Sequence, residues 1–316
     1  MKKIPKMSLE QYNELAGAEW PLFSDYIKGN ITSKLIKLEI SYHERQIYNE
    51  DKKNRIKYAD EYNSKYKSFN KRFFIKYFLL VLFPAIVGTG LYFYLGGTLT
   101  KFLILFLCFR FLNILYTQVM HRWLCHHMFE PKKWARPFLL WIVVAGCHSH
   151  TGNWIRGHWS HHQDDGTELD PYPPSWGLLK LAFIVQRYWR PYPFGRWMTA
   201  PDIKFVFRNI CWLWLINAAI FAYIDIDIFL LSFLFIQVYA NLDDGVSNFL
   251  LHDGFRTQQP VNFPVFGYFV SLFVAIESVH IVHTTRPWIF NQAKNVPGAI
   301  DLGYLLMKPF AASERE

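Results

Sequence analysis

Four long apolar runs set the first limit on how this chain can fold. They cover about 74–96, 100–120, 204–224 and 226–249. Roughly 20 apolar residues carry a helix across a bilayer, so each run is long enough. Pro84 and Gly88 lie inside the first run. Helices in lipid tolerate both, because neighbouring groups satisfy the freed backbone. The links within each pair of runs are short, at 96–100 and 225–227. Two hairpins are therefore expected, with both termini and the central segment 121–203 on one side.

Lys and Arg gather on that shared side, in 1–76, 122–136 and 180–208, while the two hairpin tips carry at most Lys101. The positive-inside rule makes the shared side cytoplasmic. The net charge of +9 then reflects topology, and no nucleic-acid motif competes for it. Residues 1–72 read as a polar cytoplasmic arm, and 73–316 as the membrane and catalytic unit. The N-terminus lacks the short apolar core of a cleavable signal, so the first run is expected to act as the membrane signal. Two shorter apolar segments, 137–147 and 264–276, are predicted to lie at the interface or pack on the domain. The four Cys include no C-x-x-C, which argues against a disulfide framework or a thiolate metal site.

Twelve His occur, and eleven of them fall between 121 and 283. They come in groups: His121, His126 and His127; His158, His161 and His162; His252, four residues after Asn248; and His280 with His283. His148 and His150 stand apart. On a helix, residues i, i+3 and i+4 share a face, so His158, His161 and His162 should point the same way. His121 and His126 are five apart, about 140° on an α-helix. They suit two different metals, or a helix that ends between them. Neutral imidazole is a good ligand for Fe, Zn, Cu or Ni. Eight or more histidines at one membrane face imply two ions rather than one.

The order H-x4-H, H-x-x-H-H, N-x3-H, H-x-x-H resembles the membrane fatty acid desaturases, most closely the acyl-CoA Δ9 (stearoyl-CoA) type. Thr167-Glu-Leu-Asp170-Pro171 is similar to that family's T-x-x-D-P, Trp154 and Arg156 precede His158 at its spacing, and Glu277 precedes His280 as its acidic residue does. The resemblance covers about 74–290. It implies an all-α integral-membrane fold: four transmembrane helices in two hairpins, capped by a cytoplasmic helical domain with a dimetal site. It also implies two Fe2+ ions held by His121, His126, His158, His161, His162, His252, His280 and His283, with Asn248 reaching one metal through water. The family's last box ends in a further histidine, where this chain has Thr284. His127, His148 and His150 are the candidate substitutes, and Thr284, Glu277 and Asp170 the candidate supporting residues. A second departure is Gly245, where the subgroup tends to have Trp along the substrate tunnel; Asp243 and Asp244 adjoin it. These changes hint at a different acyl group or carrier.

The implied chemistry is O2-dependent desaturation of a fatty acyl thioester or lipid. Trp154, Arg156, Gly245, Leu105 and Phe109 are the candidate substrate contacts. No haem-binding H-P-G-G, ferredoxin-like cysteine run or G-x-G-x-x-G loop occurs. Electrons are therefore expected from a separate donor, such as cytochrome b5 or a ferredoxin. A hydroxylase, acetylenase or alkane monooxygenase of the same architecture fits the same residues. A non-enzymatic, His-rich membrane metal protein is the rival from another class, though a transporter should place its ligands at the bilayer midplane.

Overall fold

The computed structural model describes residues 2–4, 78–146, 154–155, 157–158, 161–162, 170, 172–173, 177–178, 181, 196–252, 280–285, 287–296 and 299–315. The apolar segment 264–276 and all of the arm 1–72 except Lys2–Ile4 lie outside these, as do His148, His150, Arg156 and Glu277. In chain order the described elements are β1 (Lys2–Ile4), α1 (Phe83–Tyr94), α2 (Leu99–Cys125), β2 (Phe129–Pro131), α3 (Ala135–Ala145), α4 (Pro201–Ile224), α5 (Ile226–Leu251), α6 (His280–Thr285), α7 (Leu302–Met307) and β3 (Ala311–Arg315).

Three of the described helices, α2, α4 and α5, are long and apolar enough to cross a membrane. The outer faces of α2 and α4 fit that use, since Leu107, Phe111, Trp212, Leu215 and Ile220 are all exposed. Stripes of this size in water would mark an interaction surface. The first apolar run appears as α1 behind a single wide turn, Phe78–Leu82, in which the hydrogen bonds skip five residues. Pro84 sits in the first turn of α1, where its missing N–H costs nothing.

The ends of the helices follow from local chemistry. α1 closes on Gly96 at φ +92, with Gly97 N–H donating to Tyr92 O at 2.9 Å and Gly96 N–H to Phe93 O at 3.1 Å. A residue with a Cβ would be strained there. Thr98 then caps α2 by accepting from Lys101 N–H at 3.2 Å. Asp225 alone joins α4 to α5, and its carboxylate caps α5 by accepting from Asp227 N–H at 2.9 Å. Lys101 Nζ lies 2.7 Å from Asp225 and 2.5 Å from Asp227, so the two tight links sit side by side.

Two apolar cores result. Near the links, Tyr92, Phe109, Leu230, Leu231, Phe235 and Ile236 pack together. Phe109 belongs to this core, 5.7 Å from the Phe235 ring and 6.0 Å from Phe221, and Leu105 is half-buried against it. α1 meets α5 closely at Gly88, where a Cβ would collide with the backbone of Leu230. At the other end a larger core gathers Trp123, Leu124, Met128, Phe129, Ile142, Val143, Trp288, Phe290 and Met307.

The fold is not purely helical. β3 lies between β1 and β2, parallel to the first and antiparallel to the second. This small sheet ties the first residues and the last residues to the strand that follows the first histidine group. The described chain is nonetheless mostly helical, as expected, and the small sheet was unforeseen because non-local backbone pairing leaves no periodic mark in three- to five-residue strands.

Candidate metal centre

The first histidine group lies on the last turns of α2, and those turns are not α-helical. Over Val119–Cys125 the helix widens, and His126 N–H donates to His121 O, five residues back, at 3.0 Å. A π turn brings residues five apart near one another, where an α turn would spread them. The His121 and His126 rings are accordingly 4.8 Å apart and belong to one cluster. Of the two arrangements expected from the spacing, different metals or a helix that ends between them, the second is seen: the helix ends at Cys125 and His126 is its cap.

Five histidines, His121, His126, His158, His162 and His283, bring one ring nitrogen each to within 4.8 Å of all the others. Four Nε2 atoms close a ring: His121 to His158 at 2.8 Å, His158 to His162 at 3.0 Å, His162 to His283 at 2.8 Å and His283 to His121 at 3.1 Å. The middle of such a ring is about 2 Å from each nitrogen, the length of a metal–imidazole bond. A second set adjoins it. His252 Nε2 lies 3.2 Å from His161 Nε2 and 3.0 Å from His280 Nε2.

The expectation that His158, His161 and His162 all point the same way holds for the first and last only. His158 and His162, at i and i+4, face the five-membered group, while His161 between them faces the three-membered group. His280 and His283 divide in the same way along α6. Each of these two boxes supplies both groups. His252 comes from the first position beyond α5. Eight histidines from four stretches of sequence thus meet in one buried place.

The outer nitrogens are also held. His161 Nδ1 lies 3.0 Å from both oxygens of Asp170, which is fully buried. A carboxylate only accepts, so Nδ1 carries the proton and Nε2 turns a bare lone pair inward. Tyr172 Oη is 3.2 Å from His158 Nδ1, and the Gln292 amide is 3.1 Å from His283 Nδ1. Burial pushes the pKa of His158 and of His162 well below the ordinary histidine value, and the neighbouring imidazoles push it further. His252 is lowered by burial, then by His280 and His161. Neutral imidazole is the ligating form. An all-imidazole set fits a transition ion and not Mg2+ or Ca2+.

Other expected residues fall around this centre. Trp154 stacks on His158, with centroids 4.8 Å apart and planes 8° apart, and its Nε1–H donates to Asp244 at 2.7 Å. Asp243 pairs with Arg110 at 2.8 Å, both nearly buried, and Gly245 is buried beside them. Asn248 Nδ2 donates to Tyr172 O at 2.7 Å, which anchors the Tyr172 segment to α5. His127 is not among the five clustered histidines. Its backbone is at φ +48, its ring stacks on Trp197 at 4.6 Å, and Glu130 lies 3.5 Å from its Nε2. Thr284 is in α6 directly after His283.

Tyr172 and Gln292 were not foreseen. Tyr172 lies two residues beyond Asp170, and its N–H donates to that carboxylate at 3.0 Å, so the acidic motif was its only signal. Gln292 lies nine residues past His283, outside any helical or strand period. No protein-family model matches the chain, and no curated protein matches it.

Proposed function

We propose that this chain is a multi-pass membrane oxidase of the fatty acyl desaturase type, which introduces a double bond into an acyl chain at two histidine-held iron ions. The observation that carries this reading is the convergence of eight histidines into a group of five and an adjoining group of three. His121, His126, His158, His162 and His283 would hold one ion, and His161, His252 and His280 the other, with Asn248 at its edge. Bound Fe2+ would supply the O2-dependent chemistry that breaks unactivated C–H bonds.

The chain's own residues supply order. Asp170, Tyr172 and Gln292 hold the outer ring nitrogens, which aims the inner nitrogens at the centre. Trp154 covers the His158 face and keeps water off it. In this reading the run 74–96 joins α2, α4 and α5 as four passes in two hairpins. The Lys101 ion pairs tie the hairpins together on the far side. The termini and the histidines face the cytoplasm, where the Lys and Arg excess attracts an acidic electron donor, cytochrome b5 or a ferredoxin. The substrate is a fatty acyl thioester or an acyl lipid that enters from the bilayer, and O2 is the co-substrate.

Expression in a host that lacks its own desaturase, followed by fatty acid profiling, tests the reading. New unsaturated chains and iron in the purified protein are expected. A hydroxylated product would move the chain to the hydroxylases of the same architecture. Purified protein that binds no iron and yields no product would overturn the enzyme reading.

A further inference from the structure

Arg122 follows His121 in the π turn of α2 and is fully buried. Nε donates to Gln118 Oε1 at 2.6 Å, Nη1 to Phe290 O at 2.7 Å and to Asp301 Oδ2 at 3.0 Å, and Nη2 to Asp301 Oδ1 at 2.7 Å. Asp301 is also buried. Its Oδ2 accepts from Gln292 N–H at 3.0 Å, and its Oδ1 caps α7 by accepting from Tyr304 N–H at 2.9 Å. α7 approaches so closely at Gly303 that a Cβ there would lie 2.8 Å from Arg122 Nε and Nη2.

The backbone of Gln292 is therefore fixed from two sides. Its own N–H is bound to Asp301, and the carbonyl two residues before it is bound to Arg122. Its side chain is fully buried too, with the amide 3.1 Å from His283 Nδ1. As placed, Nε2 faces His283 and the buried Oε1 has no partner among the described residues; a half-turn of the last bond exchanges the two ends. With the oxygen turned to His283 it accepts Nδ1–H and leaves Nε2 bare, toward the other four histidines. A buried ion pair gains little stability over an apolar pair of similar volume. What this one secures is position: it joins the helix that carries His121 to the segment that orients His283.

We infer that Gln292, held by the Arg122–Asp301 pair, is a positioning residue that sets the tautomer and ring orientation of His283 for metal binding. The inference rests on the metal-centre reading above and extends it to a segment, 288–310, outside all of the histidine boxes. Loss of such an outer partner weakens metal binding by roughly 10- to 100-fold in comparable sites.

The test uses the full-length protein in lipid nanodiscs, stripped with a chelator and titrated with Co2+. Affinity and the visible ligand-field spectrum are read together, along with the melting temperature of the metal-free protein. Gln292→Asn keeps the amide but withdraws it by one methylene. It should weaken the tightest Co2+ site by tenfold or more and alter its spectrum, with the metal-free melting temperature held. Gln292→Glu restores an acceptor at full length and should bind within about threefold of the parent. If Gln292→Asn binds like the parent with the same spectrum, or if Gln292→Glu fails as badly as Gln292→Asn, the positioning role is overturned. A parent that takes up no Co2+ overturns the metal centre itself, and the positioning role with it.

Discussion

Burial gives the histidines of the centre a measurable dependence on pH. His158, His162 and His252 resist protonation in the folded chain because they are desolvated and surround one another. In the unfolded chain each titrates near pH 6.5. Above that pH neither state holds these protons, and stability does not change on their account. As pH falls through 6.5 the unfolded chain takes up protons that the folded chain refuses. Stability then falls by roughly 1.4 kcal/mol per group for each pH unit. The metal-free protein should show a level melting temperature above pH 7 and a steep decline from pH 6.5 to 5. A melting temperature that stays level down to pH 5 would contradict the neutral cluster. The same residues bear on stoichiometry. The second group has three histidines, and Thr284 stands four residues after His280 in α6. Thr284→His should place a ninth imidazole on the His280 side of that helix. Both proteins should take up two ions, but on dialysis against a chelator the parent should lose its second ion sooner than the variant; equal retention in both would argue against an incomplete second site. The eight histidines were legible because i, i+3 and i+4 spacings mark helix faces. Their division between two groups was not, because which group each histidine reaches depends on packing across the molecule. Gln292 and Arg122 were silent for the same reason, since their partners lie nine residues and about 180 residues away.

Among the elements, α2 and α5 show how apolar length was readable while pitch was not. The runs predicted at 100–120 and 226–249 became helices at Leu99–Cys125 and Ile226–Leu251. Each contains a π segment, Val119–Cys125 and Phe233–Val238. The second is met by Asn113, whose Nδ2 donates to Phe235 O at 2.9 Å. No local periodicity announces such a turn; what the five-residue spacing did allow for was a helix that ends between His121 and His126, and it ends at Cys125. The two helices are also locked by a buried ion pair, Arg110 with Asp243, each side chain 6% exposed. Arg110 lies over the Tyr239 ring as well, at 5.5 Å. Removing one partner strands a charge in low dielectric, which costs about 3–5 kcal/mol; removing both with apolar replacements is often neutral. Arg110→Met alone should therefore destabilise the protein strongly in detergent unfolding. Arg110→Met with Asp243→Leu should recover most of the loss. If the double variant is as weak as the single one, the pair has a role beyond mutual neutralisation.

Across the whole molecule, one end is built around the histidines and the other around the tight links. The sheet β1–β3–β2 draws both chain ends to the first of these, next to the segment that leaves the first histidine group. α3 lies at the same end and packs through Leu139, Ile142 and Val143. It turns Trp134, Phe138 and Trp141 outward, spaced i, i+4 and i+7 so that they form one stripe. Phe310 continues that stripe, 5.9 Å from Trp134 and 5.8 Å from Phe138, and Lys133 and Lys308 are exposed beside it. Aromatic side chains flanked by Lys suit the boundary between headgroups and acyl chains, where rings sit in the apolar edge and ammonium groups reach water or phosphate. At 11 residues α3 is too short to cross, so its stripe fits a helix lying along the surface. Depth then becomes a measurable quantity. Spin labels at Phe138→Cys, Leu215→Cys and Lys294→Cys, in a background without the native cysteines, report relative access to O2 from lipid and to a water-soluble nickel chelate. Leu215, exposed on α4, should be reached almost only by O2, and Lys294 mainly by the chelate. Phe138 should fall between them. A label at 138 that behaves like the one at 294 would place α3 in water, and the histidine end of the molecule would then stand clear of the bilayer surface instead of resting on it.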